Sequence, residues 1–221
     1  MKPHGLFLTE DGSHSIYSNK FEVAYHSKHG AIGETQHVFI DAGLRPKINQ
    51  QAVSILDIGF GTGLNAFMTF LDSKNSSTNF YYEAIEAYPI SEDMATNLNY
   101  AHKLDATSEE FMQLHTTAWN QVHHLRYNFT FLKQLAKFEE FQSKHLFDVI
   151  YFDAFAPNAQ SSLWEENLLA KMYSLLHPDG VLVTYCAQGQ FKRNLKAVGF
   201  QIEPLPGPPG KREMTRARKV C

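Results

Sequence analysis

Two kinds of apolar patterning divide the chain. In its first part, "SIYSNKFEVAYHS" (Ser15–Ser27) and "ETQHVFI" (Glu34–Ile40) are rich in aromatic and β-branched residues, with the turn-forming "KHGAIG" between them. That composition predicts short strands joined as hairpins. From Val53 onward, apolar runs of strand length alternate with segments of helical period. "VSILDIG" reads as a buried strand, "LNAFMTFLDS" as a helix and "NFYYEAIEAYP" as a second strand. Ser91 is placed to cap a helix carrying Met94, Leu98 and Leu104, and Ser108 to cap one running to Trp119. "YNFTFLKQLAKF" and "HLFDVIYFDAF" read as the third and fourth strands. "SSLWEENLLAKMYSLLHPDG" predicts a helix stopping at Pro178 and Gly180, followed by a fifth strand, "VLVTYCA". "GQFKRNLKAVG" predicts a helix ending at Gly199, and "FQIEPLP" with "EMTRARKV", joined by "GPPGKR", an antiparallel pair.

This order predicts an α/β fold: a mostly parallel, doubly wound, Rossmann-like sheet with an antiparallel last strand. An N-terminal β-hairpin extension precedes it. We expect the extension to occupy residues 1–50 and the core residues 51–221, the two packed as one unit.

Composition narrows the class. With 221 residues, 43% hydrophobic and 19% charged, the chain is long enough for one domain with a sizeable core. A formal net charge of -3 does not announce a nucleic-acid binder. Cys186 and Cys221 are too few for a disulfide framework, which suggests a reducing compartment. The sequence has no apolar run long enough for a bilayer, and "MKPHGLFLTEDG" lacks a signal-peptide core, so the expected location is the cytoplasm, with no membrane partner. His123 and His124 are adjacent and share no helix face, and neither H-E-x-x-H nor C-x-x-C occurs, so no metal is predicted.

The candidate chemistry begins at "VSILDIGFGTGLNAF". Gly59, Gly61 and Gly63 follow a strand that carries Asp57, and a helix follows them. Glycines let backbone approach a ligand, and the helix start offers free N–H groups. The dinucleotide fingerprint would need a third glycine at Leu64, and no G-K-[ST] follows, so neither dinucleotide nor P-loop binding fits. A carboxylate at Asp57 disfavours a phosphate and suits the ammonium of an amino-acid tail. Glu86 lies 23 positions after Gly63, at the end of the second strand, where an acid accepts both ribose hydroxyls. Together these features point to S-adenosylmethionine. The plainer alternative is a tight turn and a solvated surface acid.

"ILDIGFGTGLN" resembles the first motif of class I S-adenosylmethionine-dependent methyltransferases. More narrowly, "GETQHVFI", "GFGTGLN", "FDAFAPNAQSSLWEENLL" and "GKREM", spanning Gly33 to Met214, resemble the MnmC-type methyltransferase domain that acts on tRNA wobble uridine. The resemblance implies a seven-stranded sheet. It implies an enzyme that methylates the exocyclic amine of 5-aminomethyl-2-thiouridine to give 5-methylaminomethyl-2-thiouridine. It places S-adenosylmethionine against Asp57, Gly59, Phe60, Gly61, Thr62, Gly63, Asn65, Glu86 and Asp153. Family members are often fused to a flavin-dependent oxidase that makes the amine. The chain to Cys221 holds no such domain, so the expectation is a separate amine-forming enzyme, or a different substrate.

Asp153, in "FDAFAP", falls at the carboxyl edge of the fourth strand, where open α/β sheets place ligands. A carboxylate there attracts the substrate's ammonium and orients the deprotonated amine, so Asp153 is the candidate catalytic group. Phe155 is a stacking platform for a base, a contact worth about 1–3 kcal/mol, and Pro157 stiffens the turn. Between Lys192 and Cys221, eight basic residues face only Glu203 and Glu213. Such a cluster suits tRNA phosphates around the anticodon loop, Lys211 and Arg212 foremost, whereas a solvated face is the plainer reading. Glu213 is read either as a partner for a neighbouring arginine or as facing the substrate amine. Glu34 resembles a family position near the active site. Tyr17, Phe21 and Tyr25 lie in N-terminal strands that could cover the pocket, with core packing the favoured role, and Trp164 is read as packing its helix on the sheet or, after the catalytic loop, as bordering the substrate. Gln188 and Gly189 are placed near the pocket. The third strand offers no clear acid for the adenine amine, only Gln134 or backbone near Leu135. A small-molecule N-methyltransferase on the same fold remains the alternative; an NAD-dependent oxidoreductase is disfavoured by the glycine spacing.

Overall fold

The computed structural model describes residues 5–220; Cys221 lies outside them. A small antiparallel sheet opens the chain: β1 (Leu6–Leu8), β2 (His14–Ser18) and β3 (Val23–Ala24), in that order. The main sheet has eight strands: β4 (Ala52–Ile58), β5 (Asn79–Glu86), β6 (Val122–Arg126), β7 (Phe129–Leu135), β8 (Phe147–Phe152), β9 (Leu176–Thr184), β10 (Phe200–Pro206) and β11 (Glu213–Lys219). Their order is β10-β11-β9-β8-β4-β5-β7-β6. The five central strands, β9, β8, β4, β5 and β7, run parallel. β11 lies antiparallel between β9 and β10, as the closing pair predicts. The predicted doubly wound sheet is present, with one strand more than expected: β6, antiparallel to β7 at the far edge.

β4 is buried at Ile55, Leu56, Asp57 and Ile58 in succession, because helices cover both faces of a central parallel strand. On one face lies α2 (Leu64–Ser73), with Leu64, Ala66, Phe67, Met68 and Phe70 buried. α3 (Glu92–Thr96), α4 (Tyr100–Lys103) and α5 (Ser108–Thr116) complete that layer. On the other face lie α6 (Glu166–Leu175) and α7 (Gly189–Val198), which ends at Gly199 with φ 111°. The helix predicted after Ser91 is split in two around Asn97–Asn99, although Ser91 does cap its first half, accepting from Met94 N–H at 3.1 Å. α5 is capped by Thr107 rather than Ser108: Thr107 and Glu110 form a reciprocal capping box.

"ETQHVFI" is not a strand. α1 (Ala31–Thr35) continues into a π-helical segment, Gln36–Leu44. Buried positions 31, 34, 35, 38 and 39 follow helical spacing, and further on residues 40 and 42–44 are buried as well, so the second half of the segment is enclosed on most sides. Gly43 explains why the segment packs so closely: a Cβ there would lie 2.9 Å from Val183 Cγ2 and 3.2 Å from Tyr151 Cε1. Packing against the sheet overrides the β propensity of Val38, Phe39 and Ile40.

The sheet's direction of winding reverses at β4, which has β5 on one side and β8 on the other. A crevice therefore opens beyond the carboxyl end of β4, where such sheets hold ligands.

Candidate active site

The turn after β4 occupies that crevice. Gly59, Gly61 and Gly63 have φ of 105°, 51° and 76°, a region that side chains disfavour. Gly59 also lets the turn pass the next strand: a Cβ there would sit 2.7 Å from the Asp153 carbonyl oxygen. Beyond the turn is a cavity of about 490 Å³, within the usual range for a small-molecule site.

Each acid predicted at a strand end has a distinct setting. Asp57 is fully buried under the turn and does not line the cavity. Its Oδ2 accepts from the Tyr82 hydroxyl at 2.7 Å, and its Oδ1 has no protein partner. Burial holds its carboxyl well above the usual carboxylate range. Glu86 lines the cavity, its Oε2 accepting from Gly61 N–H at 2.9 Å and its Oε1 from Tyr88 N–H at 2.8 Å. The carboxylate thus ties the second strand to the glycine turn.

Asp153 also faces the cavity, and its Oδ2 accepts from Asn65 Nδ2 at 2.9 Å. Asn65 in turn accepts at Oδ1 from the Thr35 hydroxyl, 3.1 Å away, so the amide is held from both sides. Burial, followed by repulsion from Glu34, pushes Asp153 up to about 7, while Asn65 and Lys211 oppose the rise. Glu34, 7% exposed at its side chain, pairs with Lys211 Nζ at 3.2 Å. The same ammonium lies 3.9 Å from the Tyr185 ring centre, and Tyr185 donates its hydroxyl to the Ala154 carbonyl at 2.8 Å.

Phe155 lines the cavity under a lid from the first sheet. Its ring meets Phe21 at 4.6 Å and Tyr25 at 5.0 Å between centres. Phe21 and Tyr25 therefore wall the cavity, the covering role rather than the core packing favoured from sequence. The sequence also did not reveal His26, pushed down to about 4 by burial and hence neutral; after β7, the chain just beyond Leu135, at residues 136–139, does line the cavity. Tyr185 was missed as well, although its place at the end of β9 was a usable signal. Gln134 donates to Glu83 instead of facing the cavity. Trp164 packs on Phe152 and Phe191 and donates from Nε1 to the Phe155 carbonyl at 2.9 Å, fixing that loop.

Of the remaining predicted site residues, Phe60, Thr62 and Asn65 line the cavity, whereas Gly63 turns toward His115. Pro157, Arg212, Glu213, Gln188 and Gly189 are outside the lining. Glu213 is held by Lys192 at 2.7 Å. Much of the basic segment is engaged: Arg216 pairs with Glu203, Arg218 with Asp179, and Lys219 donates to the Leu176 carbonyl. Arg212 is exposed. No helix among the described residues is long and apolar enough to cross a membrane.

A nucleoside with a cationic tail fits these walls: an acid at the end of β5 beside the glycine turn, and further carboxylates at Asp153 and Glu34 deeper along the cavity. The chain is similar to the bifunctional tRNA 5-methylaminomethyl-2-thiouridine biosynthesis protein MnmC of Marinomonas sp. (strain MWYL1), 28% identical over 93% of this chain and 32% of the relative. It is similar to the protein of the same name from Aromatoleum aromaticum, 30% identical over 98% of this chain and 35% of the relative. The chain thus spans about a third of the length of the curated relatives it matches. The crystal structure of MNMC2 from Aquifex aeolicus shares the fold, with a TM-score of 0.77 at 20% identity, covering 98% of this chain and 70% of that one. Residues 100–220, more than half the chain and including Asp153 with its loop, match the model of one family, and the chain belongs to it: the S-adenosyl-L-methionine-dependent methyltransferases.

Proposed function

We propose that this methyltransferase acts on tRNA, transferring a methyl group to the exocyclic amine of 5-aminomethyl-2-thiouridine at the wobble position. The observation that carries the reading is the setting of Asp153. A half-buried carboxylate, oriented by Asn65 and pushed up to about 7, faces a cavity walled by aromatic rings. The names of the relatives support the substrate.

S-adenosylmethionine, when bound, supplies an electrophilic methyl group. Glu86 and the Gly59–Thr62 turn are the residues that would hold its nucleoside, and Asp153 and Glu34 lie where cationic groups gather. Asp57, buried and held by the Tyr82 hydroxyl, does not face the cavity. Asp153 does two things for the acceptor. Ionised, it attracts an aminomethyl group, accepts an N–H bond and aims the lone pair. With an ionisation near 7 it also takes up a proton at working pH, which suits it to receive the one the amine must lose. Phe155, Phe21 and Tyr25 exclude water and offer faces to a splayed base. The partner this reading implies is the anticodon loop of tRNA, and the cytoplasm is the expected location.

The test is to incubate the protein with S-adenosylmethionine and tRNA bearing the unmethylated aminomethyl group, then examine digested nucleosides by mass spectrometry. A new 5-methylaminomethyl-2-thiouridine is expected. Its absence removes the reading.

A further inference from the structure

The Lys211 ammonium occupies a small cage. Glu34 Oε2 is 3.2 Å away, and the Tyr185 ring face is 3.9 Å away. Both groups line the cavity, next to Asp153. A buried carboxylate and an aromatic face together form a general receptor for alkylammonium ions. A lysine side chain ends in CH2–NH3+, the same group that an aminomethyl substituent presents. Two carboxylates, Glu34 and Asp153, share this one lysine, so the cage has capacity for a cation in its place.

We propose that the Glu34–Tyr185 cage is the binding site for the acceptor's primary ammonium, and that Lys211 fills it as an internal surrogate until the acceptor displaces it. The inference rests on the amine-methyltransferase reading and adds the element that selects the amine. Displacement requires only side-chain rotation, because the backbone of the 207–212 loop is fixed. Gly207 N–H donates to the Arg212 carbonyl at 3.1 Å, and Lys211 N–H to the Pro208 carbonyl at 2.9 Å. His37 Nε2 lies 2.7 Å from the Pro206 carbonyl, and Gly210 packs on His29. Lys211 is 30% exposed at its side chain and adjoins the exposed Arg212. A phosphate of the acceptor RNA at the mouth would draw the ammonium outward as the amine enters. A nucleoside without phosphate has no such means of expelling it.

The probe is therefore the free nucleoside 5-aminomethyluridine, with 5-methyluridine as the control lacking the ammonium. Binding is measured by calorimetry at pH 8 with S-adenosylhomocysteine present. The wild type is expected to bind the amine weakly, and Lys211→Met at least tenfold more tightly, with the control nucleoside unchanged. Adding Glu34→Gln to Lys211→Met should abolish the gain. Lys211→Ala provides a second test of the same vacancy, and melting temperature with S-adenosylhomocysteine affinity reports the fold of each variant. Equal or weaker amine binding in both lysine variants, or no binding in any protein, overturns the inference. Methylation of tRNA by the wild type is scored separately. Activity on tRNA without the lysine effect removes the cage alone, whereas ammonium selectivity without tRNA methylation removes the tRNA reading alone.

Discussion

Replacing Asp153 by Asn is expected to stabilise the ligand-free protein, and by more at pH 8 than at pH 5. The ordinary value for the carboxyl is 3.8, and burial, followed by the charge of Glu34, pushes it up to about 7 in the fold. A carboxyl raised on folding binds its proton more tightly in the native state. The associated stability is complete below about pH 4 and is lost as pH rises through about 7. A tenfold change in proton affinity corresponds to about 1.4 kcal/mol, so the ionised group costs the fold about 4 kcal/mol at pH 8. At pH 5 the native group is still protonated and the cost is about 2 kcal/mol. These are ceilings, because water entering the cavity solvates the carboxylate. Asn removes the ionisation and keeps an oxygen to accept from Asn65 Nδ2, now 2.9 Å away. For a chain of this length a kilocalorie moves the melting temperature by about 2–4 °C. The advantage of Asp153→Asn over wild type should therefore grow by about 5–10 °C between pH 5 and pH 8. Scanning calorimetry of both proteins across that range is the assay. A difference that stays flat with pH would refute a raised carboxyl at this position. The same variant should lose at least tenfold in methyl transfer, so that stability and activity move in opposite directions.

Three further outcomes follow from the same geometry. kcat/KM should fall by about tenfold from its plateau to pH 6 along a limb set by Asp153; Glu34→Gln, by removing a repulsive charge, should move that limb to lower pH, and Asp153→Asn should lack it. Gly61→Ala places a side chain at φ 51° with its Cβ 3.2 Å from the Tyr25 ring, and calorimetry should show S-adenosylmethionine affinity about tenfold lower; undiminished affinity would exclude the turn from the cofactor site. Trp164→Phe deletes the bond to the Phe155 carbonyl, worth about 1 kcal/mol, and should raise the KM for tRNA while leaving cofactor affinity unchanged; a change confined to cofactor affinity would contradict the role given to that loop.

The elements legible in the sequence are those whose burial is repeated by their own local pattern. α2 begins and ends where its apolar run does, and α7 stops at Gly199. β6 escaped because "VHHLR" is an edge strand with no residue fully buried and two histidines in the middle. The Ala31–Leu44 helical stretch escaped because its aromatic and β-branched content points to a strand. Its buried positions include Glu34 and Thr35 and the unbroken run Val38–Ile40, so no apolar helical period marks it, whereas the T-x-x-E box of Thr107 and Glu110 that caps α5 was present in the sequence.

The acids of the site divide along the same line. Glu86 and Asp153 were legible because a parallel sheet delivers its strand ends to one edge, wherever they fall in the sequence. Asp57 met that criterion too, yet its side chain turns inward to Tyr82, because along a strand alternate residues face opposite ways and register alone does not say which face the ligand occupies. Of the lid and the cage, Glu34 and Lys211 were legible from the motifs that carry them, whereas Tyr185 and the way these groups come together were not. Phe21, Tyr25, Glu34, Asp153 and Lys211 line one cavity although they are spread over most of the chain. The residues so gathered also set the site's charge. Glu34, Glu86, Glu139 and Asp153 line the cavity against Lys137 and Lys211, while His26 is neutral. A cavity with that excess of carboxylates favours positive ligands, and a sulfonium donor and an ammonium acceptor are both positive. Two cations brought together would repel, and methyl transfer needs one of them to shed a proton first. A carboxyl ionising near 7, placed between the turn and the Glu34–Tyr185 cage, is suited to take that proton from the acceptor after attracting it.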